Sequence, residues 1–129
     1  MDYYYSTYLK DVSFEEAIKK TKEALKNEGF GVLTEIDMKS TLKEKLDVNF
    51  YNYKILGACN PTFAYQAILK EDKIGTMLPC NIIVQEKEKG IIEVAAVNPV
   101  ASMQAIKNKD LITISKEVQE KLEKVIQSL

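Results

Sequence analysis

Two short strings carry most of the chemistry open to this chain: Cys59-Asn60-Pro61 and Pro79-Cys80-Asn81. They contain both cysteines, and each cysteine is followed by an asparagine. A thiol becomes a nucleophile and a soft-metal ligand once ionised, and a carboxamide offers both donors and an acceptor. If folding brings the strings together, two thiols and two amides surround one small site. Cys59, Asn60, Cys80 and Asn81 are therefore the candidate ligand-binding residues, and Cys59 and Cys80 the weak candidates for catalysis.

Cys59 is expected where a strand ends and a helix begins, and the free amides there favour a thiolate. In a redox reading Cys59 would be the reactive thiol and Cys80 its resolving partner. The plain alternative makes both of them small buried apolar side chains, because free cysteine is among the most buried residue types. There is no C-x-x-C motif, and positions 59 and 80 are too far apart in sequence for spacing alone to decide. No metal is expected, since two thiolates would need Met77, Met103 or a second subunit to complete a Cu(I) or zinc site. Asn60 and Asn98 each precede a proline and read as helix N-caps. Asn81 precedes an apolar strand, so its amide is expected either to position a ligand or to fix a turn.

Composition removes several functions. The chain has 129 residues and no His, with all 18 basic residues being Lys. Without histidine there is no Ser-His or Cys-His nucleophilic pair within one chain. Without arginine there is no bidentate grip on phosphate or guanine. A net charge of −1 supplies no electrostatic footprint for nucleic acid or an anionic membrane. The five glycines form no phosphate-binding fingerprint. No nucleic acid, membrane or cofactor is expected as a partner. No apolar run is long enough to cross a bilayer and the amino terminus has no signal-like pattern, so a cytoplasmic protein with reduced thiols is expected.

The elements that would position the two strings follow from periodicity. A single domain over 1–129 is expected, able to bury roughly two thirds of its unfolded surface. Residues 3–9 alternate like a strand. Ser13-Phe14-Glu15-Glu16 is a capping box opening a helix that Gly29 ends. Residues 30–38 read as a strand with Phe30, Val32, Thr34, Ile36 and Met38 on one face and Glu35 and Asp37 on the other. Glu35 is expected to meet Lys54 across the sheet on a solvated face rather than to form a catalytic carboxylate pair. A short helix over 40–47, a strand over 51–59 and a helix over 61–70 follow. Strands near 80–87 and 91–97 flank Glu88-Lys89-Gly90 as a hairpin. A final helix from about 109 to 128 has the apolar seam Leu111, Ile114, Val118, Leu122, Val125 and Leu129. The order β-α-β-(α)-β-α-β-β-α, with one adjacent hairpin, predicts an α+β fold, not a doubly wound sheet. The aromatics Tyr3, Tyr5, Tyr8, Phe50, Tyr51, Tyr53, Phe63 and Tyr65 are expected to pack in the core or a dimer rather than to stack nucleobases.

The strings Ile55-Leu56-Gly57-Ala58-Cys59-Asn60-Pro61 and Leu78-Pro79-Cys80-Asn81-Ile82-Ile83-Val84, followed by Val97-Asn98-Pro99, resemble the domain-of-unknown-function family numbered 302. The similarity covers nearly the whole chain. It implies a TATA-binding-protein-like fold, with a mostly antiparallel sheet of four to five strands backed by helices, and a homodimer. It implies no DNA binding, because fold does not carry function. The expected function is a non-enzymatic, homodimeric domain that binds a small molecule or a partner segment near the two Cys-Asn motifs. The alternatives are a thiol-dependent redox protein or enzyme using Cys59 and Cys80, and a purely structural dimerisation module.

Overall fold

The computed structural model describes residues 1–129 and contains five strands and five helices. The strands are β1 (Tyr4–Lys10), β2 (Gly31–Asp37), β3 (Asn52–Cys59), β4 (Cys80–Glu88) and β5 (Ile91–Val97). The helices are α1 (Phe14–Asn27), α2 (Met38–Leu46), α3 (Pro61–Lys70), the single turn α4 (Pro99–Ser102) and α5 (Lys109–Gln127). A 3-10 segment, Asp72–Met77, lies between α3 and β4. All neighbouring strands run antiparallel, in the order β1-β5-β4-β3-β2. The fold is α+β, as the element order predicts.

Local chemistry sets the ends of α1. The Ser13 hydroxyl accepts from the Glu16 amide at 3.1 Å and donates to the Glu16 carboxylate at 3.3 Å. Glu16 thus meets the cap's hydroxyl rather than its backbone. At the other end Gly29 has φ +85°, and the Phe30 and Gly29 amides donate to the Leu25 and Lys26 carbonyls. That is a Schellman closure, and the left-handed backbone it needs is the reason for glycine.

One sheet face carries the core. Leu56, Ile82, Val84, Ile92, Val94 and Ala96 meet Ala17, Leu25, Leu122 and Val125 from α1 and α5 in one continuous buried cluster. The other face presents Tyr4, Tyr8, Ile36, Tyr53, Ile55 and Ile83, and of these Tyr4, Tyr8 and Ile36 are exposed. The strand face expected for 30–38 is corrected here. The pairing shifts between Val32 and Thr34, so Val32 pairs with Ala58 on the core side, while Thr34 and Ile36 pair with Gly57 and Ile55 on the open side. A bulge reverses which side chains face inward beyond it.

Glu35 accepts from Lys22 at 2.8 Å and lies 3.9 Å from Lys54. Asp37 caps α2 through the Ser40 amide at 3.0 Å, which holds its carboxyl below the usual range. Glu35 thus lies near Lys54 as expected, with Lys22 as its nearer partner, while the capping role of Asp37 had no signal in the strand pattern.

A second, smaller cluster joins Ala67 of α3, Ile74 of the 3-10 segment and Leu111 of α5. α1 and α5 press directly on the sheet, whereas α3 packs chiefly on α5 and the 3-10 segment. This offset leaves space over the ends of β3 and β4.

Candidate functional site

That space is a cavity of about 290 Å³ at the seam between the main core and the smaller cluster. It lies at the low end of the range of ligand sites, which commonly run from about 300 to 1,000 Å³. β3 and β4 supply its floor, with Ala58 and Cys80 paired directly across the ladder. Phe63, Ala64 and Ala67 of α3 form one wall, and Leu111, Ile114 and Val118 of α5 the other. Of its 18 lining residues 14 are hydrophobic, and none of the 18 is charged. It therefore suits an uncharged, mostly apolar guest.

Three of the four residues singled out from the sequence converge here. Cys59, Asn60 and Cys80 all line the cavity, and both cysteines are free thiols. Burial, with the Cys59 sulfur nearby, pushes the Cys80 thiol from 9.0 up to about 11. At neutral pH Cys80 is protonated, and it contributes a weakly polar, compact wall. Of the two methionines considered as extra sulfur ligands, Met103 lines the cavity and Met77 does not.

Asn81 is the residue that does not join them. It pairs with Gly57, is exposed, and lies on the open face with Tyr53 and Ile83. Adjacent strand residues point to opposite sides, so the Cys80-Asn81 dipeptide cannot place both side chains in one site. Gly57 is needed at that point, because a Cβ there would meet the Pro79 ring at 2.8 Å and the Thr34 hydroxyl.

Of the two Asn-Pro corners expected to cap helices, one does so. Asn98 caps α4, its side chain accepting from the Val100 amide at 3.1 Å. Asn60 occupies the N-cap position of α3 but makes no side-chain cap bond. Its amide instead donates to the Glu28 carbonyl at 3.4 Å, joining the end of α1 to the corner between β3 and α3. Sequence reasoning missed Ser115 and the α3 alanines as cavity residues. Small residues at 64 and 67 were a visible signal, but only the offset of α3 makes them a wall.

The family model described as Domain of unknown function DUF302 matches residues 5–129. Among solved structures, the chain is similar to one titled "Crystal structure of uncharacterized conserved protein DUF302 from Bacillus stearothermophilus". The two share 26% identity over 98% of each chain, with a TM-score of 0.88. No curated protein matches.

Proposed function

Because the chain belongs to the DUF302 family, whose description leaves its activity open, we propose a function from the cavity itself: a non-enzymatic binding domain for a small, mostly apolar molecule. The carrying observation is an uncharged cavity, bounded by two helices and two strand ends, with both cysteines and Asn60 among its lining residues. Apolar clefts with a few polar groups are the usual form of small-molecule sites. The lining holds no nucleophile–base pair, and the Cys80 thiol is held in its neutral form.

The test is a fluorescence titration with N-phenyl-1-naphthylamine, an uncharged apolar probe. Wild type is expected to bind one equivalent saturably. Ala64→Trp, which fills the cavity from α3, should lose that binding while keeping its circular dichroism. Asn81→Ala, on the opposite face, should bind as wild type does. Equal binding by wild type and Ala64→Trp would end the proposal.

The same reading has the domain act as a homodimer in the cytoplasm, where its thiols stay reduced. The surface available for pairing is the open sheet face with Tyr4, Tyr8, Ile36 and Ile83. Apolar and aromatic side chains concentrated on one exposed face favour association. Sedimentation equilibrium should give twice the chain mass, and Ile83→Glu should give the monomer. A wild-type monomer at micromolar concentration would remove this part.

The thiol-redox alternative has one supporting observation, that Cys59 and Cys80 line the same cavity. Iodoacetamide labelling against pH separates the readings. Labelling of Cys59 with a midpoint well below the ordinary thiol value of about 8.5 favours redox chemistry.

A further inference from the structure

We propose that the guest is a single-chain amphiphile, with an alkyl tail of about ten carbons inside the cavity and its head group in water. This rests on the binding reading above and names its ligand class. About 290 Å³ holds roughly ten groups at the approximately 30 Å³ that one water occupies in the liquid, and a methylene is of similar size.

The lining specifies what cannot enter. None of its side chains is charged, so a carboxylate or ammonium inside would lose hydration with no counter-charge to replace it. Its polar side chains are largely engaged: the Ser115 hydroxyl donates to the Ile112 carbonyl at 2.9 Å, and the Asn60 amide donates to Glu28. The buried part of a ligand therefore has to be apolar along its length.

The rim specifies what continues outward. Leu33, at the β2 bulge, is 69% exposed and lines the cavity. Ile68 also lines the cavity and is itself exposed. α3 carries no charge before Lys70, which stands 3.9 Å from Asp110. An apolar interior whose exposed lining includes Leu33 and Ile68 fits a flexible chain that is still apolar where it leaves the cavity. A compact ligand would leave that rim uncovered.

The experiment displaces N-phenyl-1-naphthylamine with straight-chain alkanoates and 1-alkanols of six to sixteen carbons, each below its micellar concentration. Affinity is expected to rise about fourfold per added methylene up to roughly ten carbons and then level off. Decanoate and 1-decanol should agree within about threefold, because the head lies outside. Leu33→Glu, at an exposed lining position, should weaken the chains longer than ten carbons more than the shorter ones. A probe that binds but is displaced by no chain would overturn the amphiphile and leave the binding reading standing. Strong preference for the alkanol would place the head inside and also overturn it. Failure of the probe itself to bind would remove both readings.

Discussion

The same dipeptide, Asn-Pro, turns the chain from strand to helix twice, and its two asparagines live under opposite constraints. Asn98 is 2% exposed and fully engaged. Its amide donates to the Asp2 carbonyl at 3.0 Å, and its carbonyl accepts from Val100 at 3.1 Å and from Gln119 at 3.2 Å. Gln119 also donates to the Tyr5 hydroxyl at 2.6 Å, so this corner ties the amino terminus to α5. Asn60 is half-buried, makes one long bond and is among the residues lining the cavity. An identical backbone device can thus anchor a dense hydrogen-bond network at one corner and carry only a single long bond at the other. The difference arises from what packs above each corner: α5 over Asn98, and the offset α3 beside Asn60.

Substitutions should separate the corners by size of effect. Asn98→Ala leaves the Asp2 carbonyl and the Val100 amide without their partner and removes one of the two Gln119 bonds, and is expected to cost about 3 kcal/mol in urea unfolding. A cost below about 1 kcal/mol would show the network to be incidental.

The cavity side has a large effect of its own at high pH. The Cys80 thiol rises from 9.0 to about 11 on folding, so its neutral form is the one the fold favours. The resulting stability is fully present below pH 9 and is lost as pH rises through about 11. Two units correspond to about 2.7 kcal/mol as an upper figure. Tyr5 and Tyr53 are also raised above 10.0, chiefly by burial, and their contributions too are lost at alkaline pH. The informative quantity is therefore the difference in slope between wild type and Cys80→Val across pH 8–11, with the variant expected to be flatter.

Gly29→Ala should cost about 1–2 kcal/mol. It puts a side chain at φ +85°, and its Cβ would meet the Asn60 amide nitrogen at 3.0 Å. The smallest change is expected for Asn60→Ala, at about 0.5 kcal/mol or less in stability, with a measurable change in probe affinity. Should Asn60→Ala destabilise as much as Asn98→Ala, the contrast between the corners fails.

Much of this fold could be read from the chain because its signals are local. The capping box at Ser13, the stop at Gly29, the Asn-Pro corners and the Gly90 hairpin each act within a few residues, and each element stands close to where its signal put it. The β2 bulge was not legible, because the alternation of Val32, Thr34 and Ile36 reads as one unbroken face. The hydrogen-bond partner of Asn60 was not legible either, since it depends on the end of α1, 32 residues away. The candidate site was half visible. Cys59 and Cys80 marked the strand ends that meet, while the parity of β4 sent Asn81 to the other face. The cavity comes from how α3 leans on α5, a long-range packing outcome with no local signature.

The most direct measurement is protection of the thiols by a bound ligand. With N-phenyl-1-naphthylamine at saturation, mass spectrometry after timed alkylation should show Cys59 and Cys80 both modified several-fold more slowly than in the free protein. Saturable probe binding with unchanged alkylation of both cysteines would place the ligand elsewhere and contradict the assignment of this cavity.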